Sequence, residues 1–262
     1  MLSPNCEVTE VPEIPSTLPA AASIGDIITL ISLLSSGSDI NRVDTADKSA
    51  LFWAAAVGYR EMCVLLLDYG ASMLVRNKNG STPLHAAAHC GHFAVCELLV
   101  ERGAKVEDPN FEGYTPLHAS AYVGHLDTCI FLVENGAGID SVNNQGLTPL
   151  LAAAHTGHLD ICKYLFERGA GMPLEVNGST SSTATPLHAA AHGGYLAVCL
   201  FLVSTAGHSV DCTNNFGMTP LHAAARGGHE EICDFLVTKG ARIDKADDQG
   251  VTALMHAVEV GQ

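Results

Sequence analysis

Histidine and cysteine crowd one short stretch of this chain: His85, His89, Cys90 and His92. Histidines spaced i and i+4 on a helix put both imidazoles on one face, a spacing that can hold zinc. A cysteine beside imidazoles is an arrangement that can activate a thiolate. His188 and His192 repeat the spacing. No carboxylate or cysteine pair recurs with metal spacing to complete a ligand set. The sequence has no phosphate-cradling Gly-rich loop, no Gly-x-Ser-x-Gly and no His-Glu-x-x-His. Catalysis, a metal site and a cofactor are therefore not expected.

The elements that position these residues are legible around them. Thr82 suits a helix N-cap, and Pro83 suits the first helical position, where a missing N–H costs nothing. Leu84 and Ala86–Ala88 make a slim helix, ended by Gly91. A second helix carries Val95, Cys96, Leu98 and Leu99 at apolar spacing, with Glu97, Glu101 and Arg102 facing water. Gly103 stops it. One such helix hairpin cannot bury its apolar stripe alone and needs a copy on each side.

The copies are present. The Thr82 position recurs at Ser16, Ser49, Thr115, Thr148, Thr185, Thr219 and Thr252, at intervals of 33, 33, 33, 33, 37, 34 and 33 residues. Thr-Pro-Leu-His stands at 82–85, 115–118, 185–188 and 219–222, and Gly-His at 91–92, 124–125, 157–158 and 228–229. Over residues 16–262 this pattern resembles the ankyrin repeat family. The resemblance implies an all-α solenoid of about seven helix-turn-helix repeats joined by short β-hairpin connectors. It also implies that His85, His118, His188 and His222 hydrogen-bond each helix start to its hairpin, and that the Gly-His histidines tie their turns. The tempting histidines then carry the fold.

In order, residues 1–15 read as a mobile acidic leader. Repeats follow at 16–48, 49–81, 82–114, 115–147, 148–184, 185–218 and 219–251, with a partial copy at 252–262. The first copy has lost Thr-Pro and His, and its Asp26, Thr29 and Ser32 suggest a polar-edged cap. In the second, Trp53 replaces Ala and is expected to fill core beside that cap. The fifth has Leu151 for His and a longer, flexible Ser/Thr/Gly connector over 171–184. The partial copy suggests a fragment, or an edge that a partner covers.

The 262 residues hold 28 acidic and 13 basic side chains, a formal charge of −15. That balance argues against nucleic acid and anionic membrane surfaces. No apolar run reaches the ~20 residues of a membrane span, and the start lacks signal-peptide character. Cys63, Cys96, Cys129, Cys162, Cys199 and Cys233 share one apolar helical slot, so they read as buried thiols. An intracellular, reducing home follows, the cytoplasm first and the nucleus second.

Members of the family meet partners along hairpin tips and the exposed part of the first helices. Mapped here, Phe111, Tyr114 and Tyr122 form one aromatic cluster, and Phe216 with Met218 a second apolar spot. The exposed helix position carries His89, Tyr122, His155, His192 and Arg226. The histidine row predicts partner affinity that changes between about pH 6 and about pH 7.5. The resemblance implies a non-enzymatic interaction scaffold or adaptor that binds a protein. The alternative is the recruiting module of a larger protein such as a ubiquitin-ligase subunit, kinase, channel or effector. The acidic balance favours a partner with a basic segment.

Overall fold

The computed structural model describes residues 15–171, 184–259 and 261. The expected leader, apart from residue 15, and most of the long connector lie outside the described residues. Two rows of helices alternate along the chain. The first row is α1 (Leu18–Ile24), α3 (Ala50–Val57), α5 (Pro83–His89), α7 (Pro116–Val123), α9 (Pro149–Thr156), α11 (Pro186–Gly193), α13 (Pro220–Gly227) and α15 (Ala253–Glu259). The second row is α2 (Ile27–Ser35), α4 (Arg60–Asp68), α6 (Phe93–Glu101), α8 (Leu126–Glu134), α10 (Leu159–Glu167), α12 (Leu196–Ser204) and α14 (Glu230–Thr238). First-row helices from α1 to α13 each pack on the second-row helix that follows, successive first-row helices pack on one another, and so do successive second-row helices from α4 to α14.

The core is a ladder of equivalent side chains. Leu18, Leu51, Leu84, Leu117, Leu150 and Leu187 are buried in the first row, and Leu66, Leu99, Leu132, Leu165, Leu202 and Leu236 in the second. Between them, Cys63, Cys96, Cys129, Cys162 and Cys199 are sealed from solvent, and burial pushes each thiol up to about 12. Cys233 was expected in the same slot but is half-exposed, because among the described residues no later second-row helix packs on α14.

The fold depends on a repeated hydrogen-bond unit at the start of each first-row helix. Thr115 is extended (φ −92, ψ 166) and forms a capping box with His118. Its backbone N–H donates to His118 Nδ1 at 3.2 Å, and its hydroxyl lies 2.9 Å from the same nitrogen. A nitrogen that accepts leaves the ring proton on Nε2, which donates to the Leu147 carbonyl at 2.9 Å. The same unit joins His85 to Tyr114, His188 to Met218 and His222 to Val251. Each imidazole therefore spans from one helix cap to the next finger, as the resemblance implied. Leu151 cannot do this, so Thr148 caps α9 alone, through the Leu151 N–H at 3.2 Å.

The fingers themselves are tight turns rather than two-stranded ladders. Asn110 Oδ1 accepts from the N–H groups of Glu112 and Tyr114, and Asn77, Asn143, Asn214 and Asp247 do the same in their fingers. Strand-like pairing among the described residues is confined to isolated bridges, Val43 with Ser49 and Ala246 with Thr252. Neighbouring tips are joined by backbone bonds, Phe111 N–H to Asn79 O at 3.0 Å and Asn144 N–H to Glu112 O at 2.9 Å.

The first copy departs from expectation twice. Its cap is Thr17, one residue past Ser16, with Pro19 in the first turn. Its outward face is only partly polar: Ser32 is exposed and Asp26 and Thr29 bond to each other at 2.6 Å, but Ile24, Ile28 and Ile31 also face outward, Ile28 at 79% exposure.

Two outcomes follow for stability. His118→Ala removes the acceptor for Thr115 and the donor for Leu147 together, and should cost about 1–3 kcal/mol in urea unfolding; an unchanged midpoint would contradict the bridging role. Burial holds His85, His118 and His222 below the ordinary imidazole value and takes His188 and His208 to about 4. The unfolded chain, with imidazoles near 6.5, therefore binds protons first as the pH falls. Stability is full above about pH 6.5 and drops towards pH 4, by at most about 1.4 kcal/mol per pH unit for each such histidine. Urea midpoints that stay level between about pH 7 and about pH 5 would contradict this.

Candidate interaction groove

Along the concave side, the first-row helices and the fingers enclose a groove with two hollows. The N-terminal hollow, about 500 Å³, is floored by Phe52, Ala86 and Ala119 and walled by Lys48, His89, Tyr114 and Tyr122. The C-terminal hollow, about 570 Å³, is floored by Leu151, Ala189 and Ala223 and walled by Leu147, His155, His192, Phe216, Met218 and Arg226. Tyr122 from the first stacks on His155 from the second, with ring centroids 6.3 Å apart. Small alanines on the floor leave the width that larger side chains would fill.

The groove side chains stand at the ends of the first-row helices, and the Gly-His turns hold those ends. The ring of His125 donates from Nε2 to the carbonyl of His89 at 3.0 Å, and His229 does the same to His192 at 2.9 Å. His92 reaches the Ala56 carbonyl at 3.1 Å. The ring must pass over the glycine of the preceding turn. At Gly58 (φ +87) a Cβ would lie 2.5 Å from His92 Nδ1, so glycine is required there by both backbone and space. Tyr59 and Tyr195 take the histidine's place in their repeats, over Gly25 and Gly157.

Eight of the nine candidate binding residues line the hollows: His89, Tyr114 and Tyr122 in one, and His155, His192, Phe216, Met218 and Arg226 in the other. Phe111 does not. Its ring folds back onto Gly80 of the preceding tip, although 66% of it remains exposed. Tyr114 packs edge-on against His118, at 5.7 Å between centroids, so the expected aromatic cluster is divided between the groove and the outside of the tips.

Trp53 packs against the core as expected, but it is only partly buried and has a polar role as well. Its indole N–H donates to Asp44 at 2.8 Å, and the Lys48 ammonium lies 4.0 Å from the ring centre. The indole thus positions Lys48 at the groove's N-terminal end. The clue was available: other repeats have alanine there, and those alanines floor the groove.

The electrostatics of the groove differ from those of the whole chain. Among the described residues neither hollow is lined by a carboxylate, in a protein with 28 acidic side chains. Acids stand on the second-row helices, among them Glu97 and Glu101, Asp127 and Glu134, Asp160 and Glu167, Glu230 and Glu231, and on the fingers and loops, among them Asp47, Glu112 and Asp248, outside the lining of both hollows. Some are paired between repeats, Asp68 with Arg102 at 2.8 Å and Glu134 with Arg168 at 3.2 Å.

The stretch that first suggested chemistry has other duties. His85 is engaged at both ring nitrogens. Cys90 is exposed, and partial burial raises rather than lowers its thiol. Cys212 lies 3.6 Å from the Thr185 hydroxyl, and burial raises its thiol as well. Among the described residues no three His, Cys, Asp or Glu side chains are grouped as a metal site, and no helix is long and apolar enough to cross a membrane.

Comparison with known proteins agrees with the architecture. A stretch of 51 residues is 45% identical to neurogenic locus notch homolog protein 1 of human, mouse and Chinese hamster (Cricetulus griseus), covering 20% of this chain. The chain matches only 2% of the length of those relatives. The ankyrin repeat domain of human ASB11 superposes with a TM-score of 0.74 at 29% identity, over 87% of this chain and 99% of that one. The family profile for ankyrin repeats matches residues 18–110, 104–175, 139–211 and 187–262. The chain belongs to the ankyrin repeat family.

Proposed function

We propose that this chain is a non-enzymatic interaction scaffold or adaptor that holds an extended segment of a partner protein in its concave groove. Ankyrin repeats are protein–protein interaction modules. The observation that carries the reading here is the placement of eight exposed or half-exposed, chemically diverse side chains along two hollows of the first-row face. The capping boxes fix most of the helices that carry them, and Gly-His ties hold the carbonyls of His89 and His192, so binding orders little of the scaffold. Any basic segment of the partner would find its match on the acidic second-row helices rather than in the groove. Nucleic acid is outside this reading, since the acidic faces would repel phosphates. The free thiols of the core support an intracellular, cytoplasmic setting.

A second reading, the recruiting module of a larger protein, draws on the notch relatives, where the matched repeats are a small part of a long chain. Both readings place the partner in the groove.

The test is affinity capture from cell extract followed by mass spectrometry. Tyr114→Ala combined with Tyr122→Ala should lower recovery of a groove partner by about tenfold or more, the usual effect of removing buried aromatic anchors. Phe111→Ala should leave it unchanged. Equal recovery with all three proteins, each shown to be folded by circular dichroism, would contradict the groove as the binding surface.

A further inference from the structure

The groove's charge selects its ligand. Arg76, Arg102, Arg168 and Arg242 each pair with a carboxylate of a neighbouring repeat. Arg226, in the wall of the C-terminal hollow, forms no ion pair or hydrogen bond among the described residues. His192 and His155 continue the same wall towards the N-terminus. Two described carboxylates C-terminal to Arg226 have other contacts. Glu259, at the equivalent position of α15, points to His256 Nδ1 at 3.6 Å. Asp248, on the next finger, folds onto Gly217. The same hollow is lined by the apolar Leu147, Leu151, Phe216 and Met218, with the amides of Gln145 and Asn214 among them.

A guanidinium at the rim of an apolar hollow, with no acid of its own, complements a carboxylate beside a large apolar side chain. We propose that the C-terminal hollow binds an acidic–apolar peptide segment of a partner protein, with a carboxylate on Arg226 and a Leu-, Ile-, Met- or Phe-like side chain between Leu151 and Phe216. This rests on the groove reading above and gives it a chemical class. It is opposite in sign to what the chain's overall charge suggests. The net charge of −15 is an average over all faces, whereas a bound peptide meets only the lining. Carboxylates on the outer helices are separated from that lining by the width of the solenoid and screened within a Debye length of about 8–10 Å.

Selection of a random-peptide display library on the immobilised chain tests this directly. Enriched peptides should carry Asp or Glu next to a large apolar residue, and their affinity should fall about tenfold or more with Arg226→Glu. Arg60→Glu makes the same change in net charge on α4, outside the groove, and should leave affinity unchanged. Peptides that lose binding with Tyr122→Ala or Phe216→Ala but are basic or uncharged would overturn the acidic assignment and leave the groove reading intact. Acidic peptides that bind Arg226→Glu as well as the parent would also overturn the assignment. Enrichment indifferent to every groove substitution, or no enrichment at all, would count against both.

Discussion

A neutral imidazole, accepting from a helix cap and donating to the next finger, is the interaction on which this structure depends. Leucine and cysteine ladders supply most of the burial free energy, but burial is non-directional and does not fix how one repeat sits on the next. The Thr-Pro-Leu-His unit does. It closes the helix start and fixes the finger's distance from that start, and finger-to-finger backbone bonds carry the register onward. The unit works only if the ring stays unprotonated on Nδ1, so the same burial that makes it rigid makes it sensitive to acid.

The groove is a consequence of that register. First-row helices are short and alanine-rich, so their concave faces stay low, and the residue near each helix end becomes the variable wall. The Gly-His ring of the next repeat hydrogen-bonds the carbonyl of that wall residue. Structural histidines at 92, 125 and 229 thus hold in place the positions that differ from repeat to repeat. The fold keeps its constant residues inside and at the turns, and leaves Tyr122, His155, His192 and Arg226 to vary.

Much of this was legible in the residues. Period, caps and stops located the repeats, and the resemblance assigned the histidines to bridges and the tips and helix ends to the surface. The residues read only in part were those whose setting depends on a neighbour. Trp53 packs on the core beside the first copy as read, but its bond to Asp44 and its contact with Lys48 depend on side chains outside its own helix. Ile28 and Ile31 read as part of a capping helix with a polar edge, yet Asp26 and Thr29 satisfy each other and leave the isoleucines outward. Cys233 followed the cysteine slot in sequence, but the slot is buried only where a further helix covers it. Phe111 is exposed on its tip as read, but its ring turns back over Gly80 and away from Tyr114's hollow.

The central claim, that buried neutral imidazoles bridge cap to finger, can be observed at the ring nitrogens. Long-range nitrogen–proton NMR of the ¹⁵N-histidine-labelled chain distinguishes the protonated nitrogen of each ring. His85, His118, His188 and His222 should each show an unprotonated Nδ1 and a protonated Nε2, and should keep that pattern as the pH is lowered through about 6.5 while the chain stays folded. Rings that carry the proton on Nδ1, or that titrate near 6.5 in the folded chain, would contradict the account.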